Sequence, residues 1–143
     1  MIYKVQLSPE INLKQLWGQL DSSEWRKYKE FSLDDTKNFR KEVEIIFFKK
    51  EGKIDDEEVQ KEYELLGLES VDPYALIALN LKNPSFCYDY PNGTHWKNND
   101  QQSWSRLAFN VWGTGQKGVF CTNNKNPWDH PGIRWFGGIL KNV

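Results

Sequence analysis

Cysteine is scarce in this chain of 143 residues, with only Cys87 and Cys121, and no apolar run is long. The start, Met1-Ile2-Tyr3-Lys4-Val5-Gln6-Leu7, has no extended apolar core of the secretory kind. Two cysteines without a leader read as reduced thiols, so a cytoplasmic protein is expected. A membrane-spanning helix needs about 20 consecutive apolar residues, and nothing approaches that length. Charge of one sign is also missing. The net charge is −1 and the pI about 6.1, which argues against duplex nucleic acid or an anionic membrane as partner.

Familiar catalytic motifs are absent as well. There is no HExxH, no serine elbow, no EF-hand loop and no phosphate-binding glycine loop. Gly113-Thr114-Gly115-Gln116-Lys117-Gly118 has the glycines, but it joins two strand-like segments. Its amides therefore lack a helix N-terminus behind them, and it reads as a hairpin turn. No cofactor is called for.

Glutamate is missing from residues 83–143, which carry six of the nineteen Lys/Arg and three of the twenty Asp/Glu. That segment is mildly basic and the remainder mildly acidic. The basic segment is also where the chemistry-bearing side chains collect. Cys87, His95, Cys121 and His130 lie there, interleaved with Trp96, Trp104, Trp112, Trp128 and Trp135.

The length is that of one domain, 1–143, large enough for a core without disulfide or metal support. The patterning predicts a mostly helical portion over 1–82 and an aromatic-rich β portion over 83–143. Residues 1–7 alternate as a strand. Ser8-Pro9 opens a helix carrying Leu13, Leu16, Trp17 and Leu20 at helical spacing. A second short helix carries Trp25, Tyr28 and Phe31. A third is expected over 32–50, with Asp34 and Asp35 in its first turn and Lys49 and Lys50 in its last. Val43 to Phe48 is also good strand composition, so a strand is the rival there. Asp55 or Asp56 caps a fourth helix ended by Gly67, and Asp72-Pro73 opens a buried fifth.

After Asn83-Pro84 the turn signals multiply, and Asn92-Gly93-Thr94, a glycosylation sequon in form, reads as a turn. Short strands are expected over 86–90, 103–112, 118–122 and 133–140, paired antiparallel. The expected fold class is therefore α+β, with N-terminal helices packed on a small, mainly antiparallel C-terminal sheet.

In the strand over 103–112, alternation puts Leu107, Phe109 and Val111 on a core face. Trp104, Arg106, Ala108, Asn110 and Trp112 fall on the other. Two indoles, a guanidinium and an amide in a row can stack a planar or sugar-like ligand and orient it by hydrogen bonds. Arg134 alternates into the same face if the strands are neighbours, with Tyr90, His95 and Trp96 at the rim. The bland alternative is that the same indoles pack under a helix.

The sequence thus points first to a binding or interaction protein whose partner is a protein, a glycan or an exposed base. Two alternatives stay open. One is a small enzyme using Cys and His, with or without zinc. The Cys-x7-His-x25-Cys-x8-His order lacks the close pairs usual in structural zinc sites, so no metal ligand is assigned. The other is a structural or assembly subunit. Composition leaves the oligomeric state open.

Overall fold

A computed structural model describes residues 1–29, 33, 38–123, 126–128 and 132–141. His130 lies outside the described residues, as do Phe31, Asp34 and Asp35. Among the described residues the chain is dominated by one mixed sheet of eight strands. The strands are β1 (Ile2–Gln6), β2 (Arg26–Lys29), β3 (Glu42–Glu51), β4 (Leu68–Ser70), β5 (Asn92–Lys97), β6 (Trp104–Val111), β7 (Lys117–Thr122) and β8 (Ile133–Leu140). They run in the order β1-β3-β8-β5-β6-β7-β2, with β4 also paired to β8. β2 runs parallel to β7, and β5 parallel to β8; the other pairs are antiparallel.

This overturns the expected small C-terminal sheet under a helical N-terminal portion. Four of the eight strands come from residues 1–82. The helices are short: α1 (Leu13–Gln19), α2 (Asp56–Leu65), α3 (Pro73–Lys82) and α4 (Phe86–Asp89).

The largest departure is β3, where a helix is expected. It lies between β1 and β8 in the sheet. Val43, Ile45 and Phe47 turn toward one core and Ile46 and Phe48 toward a second. A strand covered on both faces reads as a continuous apolar run, and the four residues 45–48 form one too short to be told from a stretch of helix. The expected second helix is likewise a 3-10 turn (Leu20–Ser23) followed by β2. The expected strand over 86–90 is the single turn α4 instead.

Other local expectations hold. Asp55 caps α2 by accepting from Glu58 N (2.8 Å), and Gly67, at φ +71°, follows its end. Asp72 caps α3, whose residues from Tyr74 to Asn80 are buried. The opening expected at Ser8-Pro9 does not hold: α1 begins at Leu13, capped by Asn12 in a reciprocal capping box with Gln15.

The sheet has a core on each face. On the helical face, Leu13, Leu16 and Trp17 of α1 and Leu76, Ile77 and Leu79 of α3 meet Val5, Ile45, Phe47, Leu107, Phe109 and Val119. Cys87 and Cys121 are buried there too. On the opposite face a smaller core joins Val59 and Tyr63 of α2 to Leu68, Ala108, Trp128 and Phe136. The candidate site lies on this second face.

No helix among the described residues is long and apolar enough to cross a membrane.

Candidate functional site

The alternation expected for β6 is present. Leu107 and Phe109 point to the helical core, while Trp104, Arg106, Ala108, Asn110 and Trp112 share the opposite face. That face is divided in two. One half is sealed by α2 and Trp128, and the other is partly open to solvent.

Asp56, the first residue of α2, organises the sealed half. It is 6% exposed. Arg106 grips it side-on, with Nε at 3.0 Å and Nη2 at 2.6 Å from Oδ2. His95 Nδ1 lies 2.9 Å from Oδ1, and Trp128 Nε1 donates to the same oxygen at 2.9 Å. His95 sits directly opposite Arg106 in the β5–β6 register. Burial alone would raise the Asp56 carboxyl. The bonds from His95, Arg106 and Trp128, with the Arg106 charge, outweigh it and hold the group below its ordinary value. Burial lowers His95, against the raising effect of Asp56. The favoured pairing is therefore a carboxylate with a neutral imidazole that keeps its proton on Nδ1, which leaves Nε2 an acceptor that the Gln60 amide can meet only through its NH2.

An acid that orients an imidazole is a common part of a proton-transfer site. Here the imidazole has no exposed surface. Its Nε2 lies 3.2 Å from the Gln60 side-chain oxygen, and Trp104 stacks on its ring at 4.1 Å. The pair holds α2 to the sheet, and its imidazole is closed to solvent in this arrangement. Beside it a surface cleft of about 420 Å³ is lined by Asp55, Asp56, Glu57, Asp100, Ser103 and Trp104. Its carboxylates bind within the chain: Asp55 caps α2, Glu57 accepts from Trp104 Nε1 (3.0 Å), and Asp100 accepts from the Gln102 and Ser103 amides.

The open half contains Asn110, Trp112, Phe120, Thr122, Arg26 and Tyr28, none of them acidic. Tyr28 and Phe120 stack at 4.8 Å with only 7° between their planes. Trp112 meets both edge-on, at 5.8 and 6.0 Å. Tyr28 is 40% exposed, Trp112, Phe120 and Asn110 are half-buried, and Arg26 is exposed. Gly118 lies between them on β7. A Cβ there would come within 3.1 Å of the Phe120 ring and 3.6 Å of the Trp112 ring, so the missing side chain lets both rings lie low on the sheet.

No family model, curated protein or solved structure matches this chain. Its site is therefore read from geometry alone.

The residues singled out from the sequence separate into three groups. Trp104, Arg106 and His95 belong to the sealed hub. Asn110 and Trp112 belong to the open half, and Arg134 reaches it from below: its Nη2 donates to Asn110 Oδ1 at 2.7 Å. Tyr90 and Trp96 are on the helical face, where Tyr90 packs between Phe86 and Trp135. The cysteines are on that face too, across the sheet from His95. Among the described residues no group of three or more Cys, His, Asp or Glu is arranged to hold a metal ion.

Sequence reasoning passed over Asp56, Trp128, Tyr28 and Phe120. Asp56 reads as one more acid in a helix start. Tyr28 becomes visible only when Arg26–Lys29 is seen as a strand, because its alternation then puts Tyr28 on one face and Lys27 and Lys29 over Trp17 on the other.

Proposed function

We propose that this chain is a binding protein that takes a ring-bearing ligand, a glycan, on the open half of the sheet. One observation carries the reading: the packed rings of Tyr28, Trp112 and Phe120 remain partly exposed beside the Asn110 amide, while α2 and Trp128 seal the rest of the face.

Three points support a glycan over the other partners the sequence allows. The rings span β6, β7 and β2, two strand spacings or about 10 Å. A patch of that width, on the order of 100 Å², matches one or two sugar rings and falls well short of the ~800 Å² per partner of an ordinary protein interface. Indole and phenol faces stack on the C–H faces of sugars, and an amide and a guanidinium supply directional bonds to hydroxyls. The cations on the face are few for a nucleic-acid strand, and the whole chain is slightly acidic.

The test is a glycan array followed by titration calorimetry on any hit, using the natural chain, Trp112→Ala and Tyr28→Ala. Truncating an aromatic anchor of a binding site costs about 2 kcal/mol or more. Each substitution is therefore expected to weaken binding by roughly tenfold or more, with the melting temperature little changed. Variants that bind as well as the natural chain would show that the ligand sits elsewhere.

A further inference from the structure

The two buried arginines of this face are treated unequally. Arg106 presents the edge formed by Nε and Nη2 to the Asp56 carboxylate. Arg134 is buried to the same degree, at 6% exposure, and lies against the same Trp128 ring, 5.2 Å away where Arg106 is 4.8 Å away. It makes no ion pair among the described residues. Its Nη1 donates to Asn92 O (3.1 Å) and its Nη2 to Asn110 Oδ1 (2.7 Å), while its buried Nε–H has no partner among the described residues. The Nε–Nη2 edge that grips a carboxylate in Arg106 thus meets only a single amide oxygen in Arg134.

A buried guanidinium without a counter-charge is costly, and so is an unmade buried donor. A planar carboxylate answers both, because its two oxygens match that edge side-on. Asn110 is the side chain between Arg134 and the open rings. It is half-buried and shares its face with Trp112 and, across the strand pair, with Gly118 and the rings over it. Turning the Asn110 amide aside exposes the edge toward the ligand face. The buried charge to be matched is single, Arg26 being exposed to solvent, so a monoanion is favoured over a doubly charged phosphate.

Resting on the reading of the open face as a glycan site, we infer that Arg134 anchors the carboxylate of an acidic sugar. The sugar ring stacks on Trp112 and its neighbours, and the carboxylate replaces Asn110 Oδ1 on Nη2 while taking the bond from Nε–H.

The experiment follows the Arg134 Nε–H and Trp112 indole N–H signals of the ¹⁵N-labelled chain by NMR. The probes are a glucuronate-containing tetrasaccharide and the same tetrasaccharide with its carboxyls reduced to alcohols. The Arg134 signal is identified by its loss in Arg134→Lys. The acidic sugar is expected to move both signals, the Nε–H downfield, and to bind at least tenfold more tightly than the reduced form. Asn110→Ala, which removes the competing oxygen, is expected to widen the gap in affinity between the acidic and the reduced sugar; a narrower gap would overturn the displacement. Equal affinity for the two sugars, with only the indole moving, would overturn the role of Arg134 and leave the glycan face standing. If neither signal moves at millimolar sugar, both readings fall. A response of the Nε–H to a short acidic peptide but to neither sugar would keep the carboxylate contact and overturn the sugar.

Discussion

Asp56→Asn is the substitution that probes the sealed hub most directly. The change keeps the size of the side chain and removes its charge. In the natural chain that carboxylate accepts from Arg106 Nε and Nη2, His95 Nδ1 and Trp128 Nε1, all at 3.3 Å or less. The amide still offers one oxygen but turns an NH2 toward groups that are themselves donors. It also leaves the Arg106 guanidinium buried without its counter-ion, beside Arg134, which has none among the described residues. Breaking a buried pair from one side costs about 3–5 kcal/mol. A domain of this size has about 5–15 kcal/mol in total, so about a fifth of the stability is expected to go at the least, and most of it if the domain is marginal. In urea, with a slope of about 2 kcal/mol/M, the midpoint should drop by roughly 2 M. Adding Arg106→Met to Asp56→Asn removes the stranded cation and is expected to restore part of the loss. A midpoint shift worth less than about 1 kcal/mol for the single substitution would refute the claim that this carboxylate holds the hub together.

Acid should loosen the same hub. His95 has its folded pKa lowered below 6.5, so the unfolded chain binds a proton first. Its contribution is fully present above pH 6.5 and is lost as pH falls below 6.5 toward the folded value; Asp56, also lowered, adds a second loss as pH falls below 3.8 through its own folded value. Urea midpoints measured from pH 8 to 5 should decline below 6.5 in the natural chain but much less in His95→Gln; an equal decline in both would locate the titration elsewhere. Gly93→Ala places a Cβ 2.9 Å from Leu107 O and 3.2 Å from the Trp128 ring. It is expected to destabilise by about 1–3 kcal/mol, and a thermal melt matching the natural chain would contradict the close approach. Cys87 has its thiol pushed up to about 11 by burial, and both cysteines are buried. Alkylation near neutral pH should therefore be slow until denaturant is added, and rapid labelling of the native chain would count against the burial of these thiols.

Several elements were legible because their signals are local. Asp55 and Asp72 cap α2 and α3 because a carboxylate can reach the amide three residues on. The side-chain alternation of Trp104–Val111 follows from the pleat alone. The strand β5 was hidden for an equally physical reason. Asn92-Gly93 looks like a turn, yet Asn92 exchanges amide bonds with Asn80 of α3 at 2.9 and 3.1 Å. Gly93 is small there because the Leu107 carbonyl and the Trp128 ring press against it, not because its backbone turns.

The sequence by itself determined the capped helices, the faces of the long C-terminal strand, and the pooling of aromatic and basic side chains beyond residue 83. Each of these depends on residues within a few positions of one another. Only the tertiary structure decided that residues 42–51 form a strand, since the neighbours β1 and β8 supply its hydrogen bonds and two cores cover its faces. Only the tertiary structure, likewise, sealed His95 and Arg106 under Asp56 and set Tyr28 beside Phe120. Those contacts join residues 39 to 92 positions apart, and no local pattern encodes which distant segment comes to lie against which.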